Sequence, residues 1–339
     1  MFKKRTIIGF VLGCLIFTGC HSGALSNKQI SENIFAMDTY MTIMAYGDNA
    51  QDAVSDAIVE IKRLDKLLSA QNQASEIFLL NQNGGGKLSK DTQNILEESL
   101  QLWKDTNGKF DITIYPIMQA WGFIDKNYVV PDSNTLTQLL SLVDCSAINI
   151  DKQNSTVIFE KEGIKIDLGG IAKGYTSSKI MDIFRKHNVS KGLVNLGGNV
   201  QVLGKKSDDE MWQVAIKDPD SNDYLGIFKA EDCAVITSGG YERFFEQDGV
   251  RYHHIIDPAT GYPAKSDLKS VTIISDDGAL ADGLSTSLFI MGKDGAVDYW
   301  KKHSKEFNMI LLDKKGKLYI TEEITNQFES KHKFQVIKE

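Results

Sequence analysis

The sequence predicts an α+β fold of mixed, mainly antiparallel sheets with flanking helices. Apolar residues recur at helical spacing in only a few segments, whereas many short segments are rich in β-branched and aromatic residues. These segments do not alternate as regular β-α units, which would indicate a doubly wound parallel sheet. Residues 30 to 339 contain no low-complexity linker and no detectable repeat, so we expect one large domain or two closely packed lobes.

The N-terminus has the features of a leader rather than of a folded domain. Basic residues at positions 3 to 5 precede an apolar stretch, Ile7 to Phe17, that is too short to span a bilayer. Small residues then precede Cys20, as in a bacterial lipoprotein signal; a plain secretory signal or an uncleaved anchor is the alternative. We therefore divide the chain into a signal peptide over residues 1–19, a lipidated cysteine with its tether over 20–31 and a folded domain over 32–339.

Removal of this leader takes away three basic residues and no acidic residue, which changes the formal net charge from −7 to −10. An acidic protein of this kind is a poor candidate for nucleic-acid binding. Beside Cys20, the cysteines that remain are Cys145 and Cys233. They are too few for a disulfide framework, and the sequence leaves open whether they pair.

Helical periodicity predicts four helices. Apolar residues recur at steps of three and four in residues 50 to 69, which indicates an amphipathic helix. A second helix is predicted over Ser89 to Thr106, ended by Asn107-Gly108. Two further helices are expected over Lys173 to His187 and Leu280 to Met291.

Strand propensity is spread over much of the chain. Residues 34 to 46 are predicted as a single strand, and Thr156 to Glu160 with Ile164 to Leu168 as a hairpin. The other expected strands are Gly192 to Leu196, Val200 to Leu203, Trp212 to Ile216, Gly226 to Lys229, Cys233 to Thr237, Lys269 to Ser275 and Phe307 to Asp313.

Three glycine turns are candidates for ligand binding. Asp167 to Gly174 precedes a predicted helix, so free backbone N–H groups and Lys173 favour an anion such as phosphate; a plain turn with a solvated lysine is the alternative. Asn195 to Asn199 and Thr237 to Tyr241 each contain a glycine pair that alone indicates a hairpin. Three such turns in one chain favour convergence on one ligand.

Tyr252 to Gly261 places two adjacent histidines before a tight turn. Pro258 fixes φ and Gly261 can adopt positive φ, so the turn is expected to be rigid. His254 is a candidate for proton transfer near neutral pH, with a structural histidine as the alternative. Its neighbour His253 is expected to point to the opposite face of the strand.

Asp282 and Thr286 are four residues apart on a predicted helix and therefore share one face. With Ser285 they form a cluster of hard oxygen donors of the kind that Mg²⁺ prefers, whereas helix capping is the alternative. No His and Cys pattern has zinc-site spacing.

Taken in their order along the chain, these segments resemble the motifs of the ApbE family of FAD:protein FMN transferases. The resemblance covers roughly residues 32 to 325. The segments that carry it are Met37-Asp38-Thr39-Tyr40, Ser69 to Ser75, Gly108 to Thr113, Trp121-Gly122-Phe123, Asp167 to Gly174, Asn195 to Asn199, Thr237 to Tyr241, His254 to Gly261 and Ala281 to Thr286.

The resemblance implies a two-lobed single catalytic domain with FAD as substrate and Mg²⁺ as cofactor. Such an enzyme cleaves the FAD pyrophosphate, attaches FMN through a phosphoester bond to a Thr or Ser hydroxyl of an acceptor protein, and releases AMP. The acceptor segment is expected to resemble Asp-Gly-x-Thr, and the enzyme to be extracytoplasmic and lipid-anchored to the bacterial cell membrane. The alternatives are a Mg²⁺-dependent FAD pyrophosphatase giving FMN and AMP, and a non-catalytic flavin-binding lipoprotein.

The resemblance also implies roles for individual residues. His254 is implied as the general base. The implied Mg²⁺ ligands are Asp282, Ser285, Thr286 and the backbone carbonyl of Gly170. The implied FAD contacts are Met37, Gln71, Lys109, Phe110, Asp111, Asp167, Lys173 and Ile256.

Overall fold

The computed structural model describes residues 28–206 and 210–339. The predicted signal peptide, Cys20 and all but the last four residues of the predicted tether lie outside these ranges. Within them, no helix combines the length and apolarity needed to cross a bilayer. The helices are α1 (Ala50–Leu68), α2 (Glu76–Asn83), α3 (Lys90–Asp105), α4 (Tyr115–Ala120), α5 (Ser133–Leu140), α6 (Ala172–Lys186) and α7 (Gly278–His303).

The strands are mostly short and follow one another with few helices between them. They are β1 (Gln29–Ala36), β2 (Thr39–Tyr46), β3 (Gly85–Lys87), β4 (Ile148–Asp151), β5 (Thr156–Phe159), β6 (Lys191–Leu196), β7 (Asn199–Leu203), β8 (Trp212–Lys217), β9 (Tyr224–Ala230), β10 (Ala234–Gly239), β11 (Phe244–Gln247), β12 (Val250–His253), β13 (Leu268–Ser275), β14 (Asn308–Asp313), β15 (Leu318–Thr321), β16 (Phe328–Glu329) and β17 (Phe334–Ile337).

These strands form one large sheet and three small ones in the described part of the chain. The large sheet has nine strands in the order β1-β2-β6-β7-β10-β13-β14-β15-β17. The small sheets are β16-β9-β8, β3-β5-β4 and the hairpin β11-β12. All pairs are antiparallel except β15 with β17. The predicted α+β fold with mainly antiparallel sheets is confirmed.

Both faces of the large sheet are covered. Successive residues of a strand point to opposite faces, and Val235 and Ile236 of β10 accordingly belong to different cores. One face packs against α1, α6 and α7. The other face packs against β8, β9 and β16, with Trp212 and Phe228 in the interface.

The predicted strand over residues 34 to 46 is wrong in one respect, because it is a hairpin. β1 ends at Ala36, and β2 begins at Thr39 and pairs with it. Met37 and Asp38 form the turn with φ of 47° and 61°. Neither residue is a glycine, so the usual signal for a two-residue turn with positive φ is absent from the sequence.

The predicted hairpin of Thr156 to Glu160 with Ile164 to Leu168 is also wrong. β5 pairs with β3 and β4, and Ile164 to Leu168 belongs to no strand or sheet. The side-chain amide of Asn81 satisfies the backbone of Ile166 instead, donating to its carbonyl at 2.8 Å and accepting from its N–H at 2.7 Å. A buried side chain thus replaces the partner strand.

The four helices predicted from periodicity are confirmed as α1, α3, α6 and the first part of α7, which bends at Gly292, where φ is 74°. The short helices α2, α4 and α5 were not expected. Two of them carry an N-cap in the sequence, since Ser75 accepts from the Phe78 amide and Asp132 accepts from two amides of α5.

The N-termini of α6 and α7 approach more closely than larger residues would permit. A Cβ atom added to Gly174 would lie 2.0 Å from the carbonyl oxygen of Gly278, and one added to Gly278 would lie 2.5 Å from that of Gly174. This approach brings Oδ2 of Asp282 to 2.9 Å from the Gly174 amide. That amide lies in the first turn of α6 and has no partner within the helix, so Asp282 of α7 satisfies it.

Gly174→Ala should destabilise the protein, because the new methyl group would overlap the Gly278 carbonyl and lie 2.7 Å from Cβ of Asp282. We expect a loss of about 1–3 kcal/mol in the free energy of unfolding, the usual cost of overpacking. Denaturant titration measures it. The control Asp182→Ala, at an exposed position of the same helix, should unfold close to wild type. Wild-type stability of Gly174→Ala would contradict the close contact.

Candidate active site

A cavity of about 860 Å³ lies where the N-termini of α6 and α7 meet the β11–β12 hairpin and the turn between β1 and β2. This volume is in the upper part of the range for cofactor sites. The predicted site residues on its wall are His254, Gly170, Asp282, Thr286, Met37, Gln71, Lys109, Phe110, Asp111, Asp167, Lys173 and Ile256. All three glycine turns reach the same wall, through Gly169, Gly197 and Gly239, as their repetition in the sequence indicated.

His254 follows the open end of the β11–β12 hairpin. Its backbone amide and its ring Nδ1 both lie 3.0 Å from the carbonyl oxygen of Arg243. A carbonyl only accepts, so Nδ1 carries the proton and Nε2 keeps a free lone pair. Burial, and then the positive charge of Arg243, lower the pKa of His254 to about 3. The imidazole is therefore neutral at pH 7 and able to accept a proton through Nε2.

His253 lies on the other side of the same strand. Its ring meets the Phe289 ring edge-on with 5.6 Å between centroids, and its Nε2 lies 3.2 Å from the carbonyl oxygen of Ala264. It does not contribute to the cavity wall. The expected opposite orientation of the two histidines therefore agrees with the structure.

The N-terminus of α6 forms the part of the wall predicted for phosphate. Lys173, in its first turn, makes no ion pair or hydrogen bond within residues 28–206 and 210–339. Asp167 lies beside it, and its Oδ1 accepts from the Gly169 amide at 3.2 Å. Burial raises the pKa of the Asp167 carboxyl, with an opposing contribution from the charges of Arg243 and Lys173.

Asp282 is a buried carboxylate with only neutral partners in the described residues. Its Oδ1 accepts from the Asn199 side-chain amide at 2.8 Å, and its Oδ2 accepts from the Gly174 amide. Burying a carboxylate lowers the stability of the protein unless a cation binds to it. Thr286 and Gly170 line the same cavity, and a hydroxyl and a backbone carbonyl are, with a carboxylate, oxygen donors of the kind that Mg²⁺ takes.

Ser285 lies behind this wall rather than on it. Its side chain is fully buried, its hydroxyl donates to the Asp282 carbonyl oxygen at 2.8 Å, and its Oγ lies 2.7 Å from Oγ of Ser238. Of the four implied metal ligands it is the one that does not line the cavity, and the ligand roles of all four stay predictions. In the described chain, no three His, Cys, Asp or Glu side chains are grouped closely enough to hold a metal ion.

The loop after α3 contributes Lys109, Phe110 and Asp111. Nζ of Lys109 lies 3.2 Å from Oδ1 of Asp257, which ties this loop to the turn that follows His254. Oδ1 of Asp111 accepts from the Thr113 amide at 2.8 Å, and burial raises the pKa of this carboxyl. The Phe110 ring packs against Gly170.

The remaining predicted contacts lie on loops around the cavity. The Met37 amide donates to Oδ1 of Asp65 at 3.1 Å, and the Gln71 side chain donates to the Ile124 carbonyl at 2.9 Å. Ile256 is buried at the base of the Asp-Pro turn. By contrast, Trp121 and Phe123, which belong to one of the segments that carry the resemblance, are core residues.

The sequence analysis missed Arg243, which lies on the cavity wall next to His254. A signal was available in Asp248-Gly249, a dipeptide typical of a two-residue hairpin turn. β11 and β12 pair around it, with Phe244 opposite His253. One more step along the same register places Arg243 opposite His254.

Cys145 and Cys233, whose pairing the sequence left open, are both free. Cys145 belongs to the core beneath the cavity, and its Sγ lies 3.1 Å from Oδ1 of Asp111. Cys233 packs against the core on the opposite face of the large sheet. Burial raises the pKa of both thiols, so neither is a reactive thiolate at neutral pH.

The depressed pKa of His254 should make stability depend on pH. This ring is protonated below about pH 6.5 in the unfolded chain, but only near pH 3 in the folded protein. The contribution of His254 to the free energy of unfolding is therefore complete above pH 6.5 and is lost as the pH falls toward 3. His254→Gln removes the contribution. The stability difference between wild type and variant should therefore change between pH 7 and pH 4.5 in urea titrations, and a constant difference would contradict the buried neutral imidazole.

Comparison with known proteins shows which family has this sequence and this architecture. A family model described as the ApbE family matches residues 37–311. The chain is 32% identical over 307 residues to the FAD:protein FMN transferase of Treponema pallidum (strain Nichols), covering 84% of this chain and 85% of that protein. It is 34% identical over 272 residues to a FAD:protein FMN transferase of Klebsiella pneumoniae (strain 342), covering 78% and 84%.

Solved structures include the ApbE protein of Thermotoga maritima, which superposes with a TM-score of 0.82 at 31% identity and covers 88% of this chain and 99% of that chain. The residues that the family model matches include the strands β2, β6, β7, β10 and β13 of the large sheet, the meeting point of α6 and α7, and the cavity wall. The chain therefore belongs to the ApbE family.

Proposed function

We propose that this protein is a Mg²⁺-dependent FAD:protein FMN transferase. It cleaves the pyrophosphate of FAD, joins FMN to a Thr or Ser hydroxyl of an acceptor protein through a phosphoester bond, and releases AMP. The observation that carries the proposal is the single cavity in which a neutral His254, the unpaired cation Lys173 and the unpaired carboxylate Asp282 meet. The family membership and the relatives' names support the same activity.

His254 acts as the general base. Its Nε2 takes the proton of the acceptor hydroxyl while the hydroxyl oxygen forms a bond to the FMN phosphorus. The bond between that phosphorus and the bridging oxygen breaks, and AMP leaves with the bonding electron pair. The Arg243 carbonyl holds the tautomer throughout, since it accepts the Nδ1 proton.

The Mg²⁺ ligands in this proposal are Asp282, Thr286 and the Gly170 carbonyl, with Ser285 behind them. When bound, the ion supplies positive charge that stabilises the phosphoryl group and the leaving phosphate. The chain's own contribution is to hold the Asp282 carboxylate in place through Asn199 and the Gly174 amide.

The other residues on the wall orient FAD. Lys173, at the N-terminus of α6, binds the phosphates, and Phe110 offers an aromatic face. Asp167 and Asp111 carry carboxyl oxygens that accept from ribose, adenine or flavin groups rather than from phosphate. Met37, Gln71, Lys109 and Ile256 complete the wall.

We further propose that the enzyme is extracytoplasmic and held to the bacterial membrane by a lipid on Cys20. The basic residues at positions 3 to 5, the apolar stretch and the small residues before Cys20 support this. The acceptor then carries an exposed Asp-Gly-x-Thr-like segment within reach of the same membrane face.

The direct test mixes the full-length protein in detergent with FAD, Mg²⁺ and a candidate acceptor carrying such a segment. Flavin fluorescence that stays on the acceptor after denaturation, and is lost when the acceptor threonine is changed to alanine, supports the transferase. FMN and AMP without labelled acceptor would indicate that water replaces the hydroxyl, hence a pyrophosphatase. FAD bound but unchanged would reject both reactions.

His254→Ala should lose transfer while keeping FAD affinity, because the base acts on the acceptor hydroxyl rather than on FAD. We expect a fall in kcat of roughly 10² to 10⁴, the range for loss of a general base. Steady-state transfer and FAD titration measure the two quantities. His332→Ala, at an exposed position, is the matched control. Full activity of His254→Ala would remove the proposed base.

Asp282→Asn should raise the Mg²⁺ concentration needed for half-maximal transfer by roughly tenfold or more. Loss of a residue that only supports a metal ligand already weakens metal binding by about this factor. Asparagine keeps one carbonyl oxygen for the Gly174 amide, so α6 retains its partner. Asp298→Asn, exposed on α7, controls for charge removal from the same helix. An unchanged Mg²⁺ requirement would count against this ligand.

A further inference from the structure

The charged side chains on the cavity wall fall into two groups. Four basic residues contribute to the wall. Lys109 is paired with Asp257, and Lys126 is paired with Asp38. Lys173 and Arg243 form no ion pair with any carboxylate of residues 28–206 and 210–339. The wall thus holds two basic side chains that have no ion-pair partner in the described chain.

Arg243 is the more demanding of the two unpaired cations. Its Nε is fully buried and has no hydrogen-bond partner. A buried N–H donor without an acceptor lowers the stability of the protein, and the loss is larger when the donor belongs to a charged group. Such a donor is therefore found chiefly where a bound ligand supplies the acceptor. A guanidinium presents its donors as a planar fork that fits two oxygens of one phosphate.

Asp167 does not supply that acceptor. It feels the charge of Arg243, yet no oxygen of its carboxylate lies within ion-pair distance of the guanidinium. Burial raises the pKa of this carboxyl in spite of Arg243, whereas a direct ion pair would hold it low. The guanidinium is therefore not retained as half of an internal salt bridge.

The position of Arg243 in the hairpin is set by the same contact that orients the base. Its carbonyl accepts from the amide and from Nδ1 of His254, so its Cα lies directly across the ladder from that of His254. Its side chain reaches the cavity wall that His254 also lines. An anion held by this guanidinium is consequently next to the proton acceptor.

We propose that the Arg243 side chain is a catalytic residue that binds the non-bridging oxygens of the FMN-side phosphate of FAD, the phosphate that the acceptor hydroxyl attacks. This inference rests on the proposed function and deepens it by naming the group that holds the reacting phosphate. Its fork donates to two oxygens of that phosphate and stabilises the negative charge that they carry as the bond to the acceptor forms.

The test compares ADP with AMP, because the β-phosphate of ADP occupies the place of the FMN phosphate and AMP lacks it. Binding of both to the full-length protein is measured by calorimetry in Mg²⁺-free buffer with EDTA. Arg243→Gln keeps the backbone carbonyl that orients His254. We expect it to weaken ADP binding roughly 10- to 100-fold, the range for losing hydrogen bonds to a charged group, and to leave AMP binding unchanged.

Two further variants sharpen the result. Arg243→Lys keeps the charge without the fork and should recover part of the ADP affinity. Arg251→Gln removes the same charge from the same hairpin, where Arg251 is exposed and paired with Glu246, and should bind both nucleotides as wild type does. FMN transfer should fall in Arg243→Gln by at least the factor lost in ADP affinity.

Several outcomes would overturn the inference. They are wild-type ADP affinity in Arg243→Gln, equal weakening of AMP and ADP, and no preference of the wild-type protein for ADP over AMP. A lowered unfolding midpoint with equal loss of both nucleotides would assign Arg243 a purely structural role. If the ADP results are as expected but no acceptor is labelled by wild type, the phosphate site stands and the proposed transferase function fails.

Discussion

The close approach of α6 and α7 is the constraint on which the site depends. Gly174 and Gly278 let the two helix N-termini touch backbone to backbone, and Asp282 then reaches across to the Gly174 amide. A single contact thus satisfies one unpaired amide of α6 and fixes the carboxylate proposed for the metal. Because both helices also pack on the large sheet, small shifts of either would cost core contacts.

The β11–β12 hairpin provides the second half of the site on a different support. Its side chains pack on Trp121 and Phe123, in a core of its own. This core sets the position of His254 relative to the helix N-termini. His254, the proposed base, and Lys173, the proposed phosphate ligand, therefore come from separately packed units, and the cavity is the space between them.

The charges of the site are incompletely compensated in the protein by itself. Lys173 and Arg243 lack carboxylate partners in the described residues, Asp282 lacks a cation, and His254 is kept neutral by burial and by the field of Arg243. In the proposed reaction, a bound pyrophosphate would oppose the part of the lowering of the His254 pKa that comes from Arg243, whereas burial, the larger cause, would remain.

Local patterns explain where the sequence analysis succeeded and where it failed. Periodicity located the long helices because a helix that covers a sheet needs an apolar stripe. The turn at Met37-Asp38 escaped it because those residues adopt positive φ without being glycine. Ile164 to Leu168 has strand composition but no partner strand, since the side chain of Asn81 takes its hydrogen bonds. A buried side chain 85 residues away leaves no trace in the local pattern.

The sequence by itself determined the fold class, the order of the glycine turns, the resemblance to the ApbE family and the opposite orientations of His253 and His254. It did so because these features reside in periodicity, turn chemistry and residue order. Only the tertiary structure decided which charges are paired and which remain open to a ligand. Lys109 meets Asp257 across 148 residues of chain, whereas Lys173 and Arg243 meet no carboxylate in the described residues. Ion pairing depends on a few ångströms between distant residues, and this distance is set by packing rather than by any local pattern.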